Sequence, residues 1–156
     1  FQPMSDIKKD FWKALDASPN VMVGLIGERA HHVPMHAMLD KDADGAVWFF
    51  TATDNRLASG GPPMAQVAAR DHDLFACISG TLRREADRAV LDRLWNNAVA
   101  AGYRGGKDDP KLLLLRFDLE DAEIWTADPG LKGMFKLATG MTVKRKEFGE
   151  HAKVAL

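Results

Sequence analysis

The fold is decided by residues 21–51, which read VMVGLIGERAHHVPMHAMLDKDADGAVWFFT. Short runs rich in apolar and β-branched residues alternate here with a turn at 27–30 and an aspartate-rich loop at 40–45 that ends in a glycine. Such runs are typical of strands, and short connections of this kind join antiparallel neighbours. The stretch predicts a three-stranded antiparallel meander with strands at residues 21–26, 32–39 and 47–51.

One amphipathic helix is predicted ahead of these strands, over residues 6–16. Ile7, Phe11 and Leu15 follow one another at intervals of four residues and form a single apolar stripe. Ser5 is a residue type that caps helix N-termini, and the Ser-Pro-Asn sequence at 18–20 predicts the end of the helix.

Further strands and a second helix are predicted after residue 60. The helix covers 86–101, because apolar residues share one face there; they are Val90, Leu91, Leu94, Trp95, Ala98 and Val99. A single helical turn is expected at 54–59, and a helical segment at 131–137 within a mixed tail, residues 127–156. The later strands are expected at residues 64–69, 74–82, 112–118 and 122–126.

The predicted fold class is mainly β with flanking helices, in a single domain over residues 4–156. Residues 1–3 precede Met4 and are interpreted as a tag remnant. Consecutive hairpins of about seven strands favour an antiparallel sheet, and a sheet of this size with one apolar face tends to close into a barrel. Phe49 and Phe50 point to opposite faces of their strand, so one of them is expected in the core.

Composition excludes several classes of function. The chain has 156 residues, of which 46% are hydrophobic, and a net charge of −1, so nothing favours a nucleic-acid or anionic-membrane partner. No apolar run approaches the roughly 20 residues of a membrane span, and no signal peptide is recognised. The single cysteine, Cys77, cannot form an intrachain disulfide and is expected to be a buried, inert thiol in a reducing, cytoplasmic protein.

Familiar motifs for phosphate, metal and dinucleotide binding are incomplete. Gly105-Gly106-Lys107 suggests a phosphate loop, but Ala101 and Asp108 occupy the positions that need glycine and Ser or Thr. His32 and His36 share a strand face but lie roughly 13 Å apart at about 3.3 Å per residue, too far for one metal ion. Because of that distance, no metal site is expected. No Gly-x-Gly-x-x-Gly follows a strand, so no Rossmann dinucleotide site is expected either.

Several segments together resemble a known family. The chain is similar, from about residue 8 to 156, to the general stress protein branch of the pyridoxamine 5′-phosphate oxidase-like, FMN-binding split-barrel proteins. The order and spacing of the segments carry the resemblance. They are Val33-Pro34-Met35, Val47-Trp48-Phe49-Phe50-Thr51, Ile78-Ser79-Gly80-Thr81, Leu94-Trp95-Asn96, Gly105-Gly106-Lys107-Asp108-Asp109-Pro110, Leu114-Leu115-Arg116, Ala122-Glu123-Ile124-Trp125, Thr139-Gly140 and Gly149-Glu150-His151.

The resemblance implies an antiparallel split β-barrel that forms a homodimer with FMN at the interface. FMN needs cations and N–H donors for its phosphate, an apolar slot for its ring, and directed hydrogen bonds at the ring edge. Backbone beside Pro34 would serve the ring edge, and Arg56, in the expected helical turn, would bind the phosphate. The candidate cofactor-binding residues are Val33, Pro34, Met35, Phe50, Thr51, Asn55, Arg56, Leu57 and Trp95.

These residues also have plain structural interpretations. Residues 33–35 fit an edge strand, and an isolated arginine such as Arg56 is commonly solvated. Trp95 and Trp125 fit core packing as well as contact with a flavin across the dimer. Relatives usually carry an arginine directly before Pro-Met, where this chain has Val33, so the phosphate site has lost one cation. A nearby histidine, such as His31, His32 or His36, would compensate in part.

The implied function is an FMN-dependent oxidoreductase with a stress-related role and an unidentified small-molecule substrate. The flavin would supply the redox chemistry, and no catalytic residue is assigned. Activity as a true pyridoxamine phosphate oxidase is not expected, because a second set of basic residues for a substrate phosphate is not found. Two alternatives stay open: a non-catalytic flavin carrier or sensor, and a split barrel that binds another cofactor, a deazaflavin or haem.

Overall fold

The computed structural model describes residues 4–126 and 151–156. Within these residues the chain forms three α-helices, one 3₁₀ turn at Gly106–Asp108 and seven strands. The helices are α1 (Met4–Ala17), α2 (Arg88–Leu94) and α3 (Asn97–Ala100). The strands are β1 (Asn20–Leu25), β2 (Val33–His36), β3 (Ala46–Ala52), β4 (Pro63–Ala68), β5 (Leu74–Arg84), β6 (Leu112–Thr126) and β7 (His151–Ala155). None of the helices in this part of the chain is long and apolar enough to cross a membrane.

The seven strands form one antiparallel sheet, which confirms the predicted mainly β class. The strand order is β2-β1-β4-β5-β6-β3, and β7 pairs with the second half of β6. The two ends of this order meet at a bridge between Met38 and Trp48, whose two backbone N–H···O bonds measure 2.7 and 2.9 Å. The hairpin of β4 and β5 is as predicted, with residues 69–73 as its connection.

Two predicted strand arrangements are wrong. The third strand, β3, does not continue a meander: it pairs along its whole length with the first half of β6, and its ladder to the segment after β2 is the isolated Met38–Trp48 bridge. The predicted pair at 112–118 and 122–126 is one continuous strand, β6. Its two central acids look like loop residues in the sequence, yet Glu120 and Asp121 accept hydrogen bonds from Thr81 and Ser79 across the ladder.

The predicted helix over 86–101 is two short helices, α2 and α3, which is a correction. Trp95 and Asn96 both have extended backbone between them, and the Asn96 side chain accepts a hydrogen bond from the Val99 N–H at 2.9 Å. Asparagine is among the strongest N-cap residues, so this local bond overrides the apolar periodicity. Ala98, expected on the apolar face, is consequently exposed.

Two other local predictions differ from the structure, and a third concerns residues that the structure does not describe. Residues 54–59 form a series of turns and not a helical turn. The tail contains a strand, β7, that was not predicted. The helical segment expected at 131–137 lies outside the described residues.

The main core lies between α1 and the inner face of the sheet. Ile7, Phe11 and Leu15 are at most 4% exposed and pack in one cluster with residues of every strand, so the predicted stripe is confirmed. Phe49 belongs to this cluster and Phe50 does not, as expected for opposite strand faces. A second, smaller cluster around Trp48 and Leu94 lies on the other face of β3, beneath α2. Both faces of β3 are therefore covered, which fixes the strand between two packed layers.

Candidate functional site

The segment after β3 is held against the chain that enters β2. The guanidinium of Arg56 donates a hydrogen bond to the backbone carbonyl of His31 at 2.8 Å. The side-chain amide of Asn55 approaches the sulfur of Met35 at 4.0 Å. Three of the candidate residues, Met35, Asn55 and Arg56, are thus brought together with the start of β2.

The backbone of residues 55–57 is not arranged as a helix N-terminus. The side-chain oxygen of Asn55 accepts the Leu57 N–H at 2.8 Å, in the manner of an Asx turn. Leu57 itself is 1% exposed and belongs to the main core. The expected anion-binding amides are therefore absent from residues 55–57, and the candidate for an anion there is the exposed side chain of Arg56, whose guanidinium has N–H groups besides the one bonded to His31.

The remaining candidates on β2 and β3 face different ways. Pro34 is exposed on the outer face of the sheet, whereas Val33 is half-buried and packs against the main core. Thr51 is 9% exposed and lies opposite Leu113 inside the β3–β6 ladder, one residue before the strand ends. Phe50, with the opposite orientation, is half-buried on the outer side.

Phe50 and Trp95 form an aromatic corner between β3 and α2. Their ring centroids are 5.9 Å apart and their planes meet at 80°, a T-shaped pair. Trp95 is half-buried, so it neither belongs to a core cluster nor extends freely from the surface. The break before α3 sets this position, because Trp95 leaves the helix with an extended backbone.

A pocket of about 330 Å³ opens beside this corner, and we call it the aromatic pocket. It is lined by His36, Met38, Phe50, Asn96, Ala98, Val99, Gly102 and Tyr103. Its lining contains no aspartate, glutamate, lysine or arginine. Burial and the nearby Asp109 carboxylate raise the pKa of Tyr103, so its phenol stays protonated at neutral pH.

The sequence interpretation missed most of the aromatic pocket. It singled out Phe50 and Trp95 but neither Met38 nor Tyr103, which come from the chain after β2 and from the loop after α3. The available signal was Asn96, a capping residue directly after a tryptophan. It indicates a helix break, which is what turns the following residues toward β3.

The outer face of the sheet carries a continuous row of side chains across six strands. The register aligns, from β2 to β7, Pro34, Met22, Gln66, Cys77, Glu123 and Lys153. Cys77 is half-buried on this face, so the prediction of a buried thiol is wrong. Two apolar side chains here are unusually exposed, Met22 at 42% and Phe75 at 40%.

Each histidine of the group near β2 has a different contact. The His32 ring lies over Gly24, where a Cβ atom would overlap it, and its Nδ1 lies 2.8 Å from the Gln66 side-chain oxygen. Nδ1 of His36 lies 3.2 Å from the Asn20 side-chain oxygen. His31 contributes its carbonyl to Arg56. Residues 4–126 and 151–156 contain no group of three side chains able to hold a metal ion.

The family model described as pyridoxamine 5′-phosphate oxidase like matches residues 6–147. A search of curated proteins gave no match. The chain is a mainly antiparallel β protein with a few helices, the fold of the solved structures it matches. It belongs to the pyridoxamine 5′-phosphate oxidase-like family.

Three solved structures place it within that family. A protein of a Jannaschia species, named general stress protein 26, is 32% identical with a TM-score of 0.79, over 99% of this chain and 100% of its own. A general stress family protein of Xanthomonas campestris is 46% identical with a TM-score of 0.76, over 84% of this chain and 94% of its own. The general stress FMN/FAD binding protein of Xanthomonas citri is 45% identical with a TM-score of 0.76, over 82% of this chain and 94% of its own. The chain therefore belongs to the general stress protein branch.

Proposed function

We propose that the protein binds FMN as a homodimeric split barrel and serves as a flavin-dependent oxidoreductase in a cytoplasmic stress response. The observation that carries the proposal is the position of Arg56 and of the Phe50–Trp95 corner, at opposite ends of the short strand β2. Arg56 is bonded to the residue-31 carbonyl, and the aromatic pocket begins at His36. A cation at one end and an aromatic wall at the other match a molecule with a phosphate at one end and a ring system at the other.

Arg56 would hold the phosphate of FMN. Its side chain is exposed, and its guanidinium is bonded at one nitrogen to the residue-31 carbonyl, which leaves other N–H groups for a ligand. A guanidinium held in this way forms charge-assisted hydrogen bonds with phosphate. Since Val33 contributes no charge, Arg56 would be the main cation of this site, and FMN affinity should depend on it.

The ring system would lie along the outer side of β2, from Pro34 toward Phe50. A fully extended stretch from residue 31 to Pro34 would span about 10 Å, enough for the five-carbon ribityl chain between phosphate and ring. Pro34 is exposed and lies in the short strand at one end of the sheet order, so carbonyl and N–H groups near it are accessible to a ring edge. Phe50 and Trp95 provide the apolar surface.

The homodimer in this proposal uses the outer face of the sheet. Met22 and Phe75 are large apolar side chains exposed on neighbouring rows of that face. Burial against a second copy would remove them from water, and a two-fold arrangement brings the same patch from each protomer together. The Met38–Trp48 bridge, which joins the ends of the strand order, supports closure of the barrel.

When bound, the flavin would supply hydride and single-electron transfer. The chain's own residues would bind the phosphate, shape the ring slot and limit access of water.

A second candidate is a flavin carrier without turnover. It is favoured by the lining of the aromatic pocket, which holds no carboxylate or lysine to act as an acid or base. Steady oxidation of NADH or NADPH by the flavin-loaded protein with an added acceptor would favour the oxidoreductase over the carrier.

The proposal is tested by titrating flavin-free protein with FMN while following flavin fluorescence, in the wild type and in Arg56→Ala. A charge-assisted bond to phosphate corresponds to a loss of about tenfold or more in affinity. The matched control is Arg29→Ala, which removes an exposed arginine from the connection between β1 and β2. Equal affinities in wild type and Arg56→Ala would remove Arg56 from the site, and failure of the wild type to bind would reject the function.

A further inference from the structure

We propose that the aromatic pocket binds a neutral, planar aromatic compound with an oxygen acceptor, such as an aromatic ketone, lactone or quinone, and excludes compounds that would place a carboxylate or another anionic group inside it. The proposal deepens the proposed function, on which it rests for one point only: that this compound is the flavin's reaction partner. Binding itself can be tested without flavin.

The walls of the pocket fit a flat ring. Phe50 forms one side and is itself held edge to face by Trp95, so it is fixed in place. Met38 and Val99 add flexible and branched apolar surface. Thioethers and aromatic faces contact ligand rings favourably. A volume of about 330 Å³ is at the small end of the range for ligand pockets and suits one or two fused rings.

Hydrogen-bond donors lie at the edge of this apolar surface. The Tyr103 hydroxyl and the Asn96 amide nitrogen have no partner among residues 4–126 and 151–156, because the Asn96 oxygen alone is used, as the cap of α3. The protonated phenol of Tyr103 donates and does not repel an oxygen acceptor. His36 adds a ring nitrogen, since only its Nδ1 is engaged by Asn20. A carbonyl oxygen is the ligand group that these donors would satisfy.

Charge explains what the pocket would reject. Its lining has no lysine or arginine to pair with an anion, and the Asp109 carboxylate is close enough to act on Tyr103 electrostatically. An anion placed here would lose its hydration and gain no lysine or arginine as a charged partner. Other pockets of the described chain differ in this respect: one contains Lys13 and Arg70, and another contains Glu123 and Lys153.

The test uses two ligands that share a ring system, coumarin and coumarin-3-carboxylate, with calorimetric titration of the flavin-free protein. Coumarin is expected to bind one per chain, and the carboxylate at least tenfold more weakly. Tyr103→Phe removes one hydroxyl and should weaken coumarin binding by roughly fivefold, the effect of one hydrogen bond. The matched control, Thr81→Val, removes a hydroxyl from an exposed position of β5 and should leave binding unchanged.

A variant that introduces a positive charge tests the pocket independently of Tyr103→Phe. Val99→Lys places a cation at the half-buried edge of the pocket and should make the carboxylate the preferred ligand. The proposal is overturned if neither ligand binds the wild type, if both bind equally, or if FMN displaces coumarin one for one. Coumarin binding with no FMN binding would support the pocket assignment and reject the flavin function. FMN binding with no coumarin binding would support the flavin function and reject the pocket assignment.

Discussion

Trp95 and Phe50 meet edge to face, with ring centroids 5.9 Å apart, and so connect the end of α2 to the outer side of β3. This contact is the structural basis of the proposed ring slot, because it fixes Phe50 beside the aromatic pocket. The same chain offers an internal comparison: Trp12 and Phe11 form a similar pair, at 5.3 Å and 76°, on α1.

Replacing Trp95 should affect flavin binding more than folding. Trp95→Leu removes an aromatic pair contributing about 0.5–1.5 kcal/mol and opens one side of the proposed ring slot. We expect a several-fold loss of FMN affinity together with a small fall in thermal stability. Trp12→Leu is the control: it loses a similar pair on α1, does not line the aromatic pocket and should keep the wild-type FMN affinity. Equal FMN affinities in wild type and Trp95→Leu would remove Trp95 from the cofactor site.

Introducing a cation at residue 33 should strengthen flavin binding. Val33→Arg introduces a guanidinium at the start of β2, near the residue-31 carbonyl that holds Arg56; because Val33 is half-buried against the main core, the arginine stem must extend past that core to reach the phosphate. A further charge-assisted bond to phosphate is worth about 1.5–3 kcal/mol, so FMN affinity should rise at least tenfold in a fluorescence titration. Val33→Leu controls for side-chain volume and should change little. If the arginine variant gains nothing, the phosphate does not lie at this end of β2.

A charge on the outer face should separate the protomers. Phe75→Glu replaces an apolar side chain, 40% exposed, with a carboxylate that is costly to bury in an interface. Sedimentation velocity should show the wild type as a dimer and Phe75→Glu as a monomer or a weaker dimer. Ile26→Glu is the control, since Ile26 is 54% exposed in the turn after β1. A Phe75→Glu dimer as tight as the wild type would place the interface elsewhere.

The ion pair of Asp40 and Arg93 should make a pH-dependent contribution to stability. Arg93 donates two hydrogen bonds to the Asp40 carboxylate, at 2.8 and 3.2 Å, and this contact, with the Asp42 N–H, lowers the pKa of Asp40. A lowered folded-state pKa stabilises the fold above the unfolded value of about 3.9, and this stabilisation is lost as pH falls through the folded pKa. Asp40→Asn should therefore unfold at lower urea than the wild type at neutral pH.

The difference between Asp40→Asn and the wild type should shrink as the medium becomes more acidic than about pH 4. Asp71→Asn, in the exposed connection of the β4–β5 hairpin, is the matched control and should follow the wild type throughout. A difference that stays constant from neutral to acidic pH would show that the carboxylate charge is not responsible.

Local sequence patterns predicted the helices and strands better than they predicted which strands pair with each other. The stripe of Ile7, Phe11 and Leu15 identified α1 because four-residue spacing places side chains on one helical face. The pairing of β3 with β6 could not be read in the same way, because the two segments are about 60 residues apart and their register depends on packing both faces of β3. Short-range spacing carries no information about such a partner.

The candidate site was predicted in outline and missed in detail. Arg56 and Phe50 were chosen as candidates because phosphate binding needs a cation and ring binding needs an aromatic side chain, and their role in flavin binding stays a prediction. Tyr103 was missed because it approaches Phe50 only after the chain breaks at Asn96, and the periodicity of 86–101 concealed that break. The Asx turn at Asn55, which replaces the expected helical turn, depends on one side-chain orientation that the sequence pattern does not specify.

The most direct test of the central claim is the dissociation constant of the wild-type protein for FMN, measured by flavin fluorescence together with the visible spectrum of the protein as purified. The account predicts binding in the micromolar range or tighter, about −8 kcal/mol or more, with one FMN per protomer and a flavin spectrum. No binding at about 100 μM FMN, or the spectrum of a haem or a deazaflavin, would contradict it.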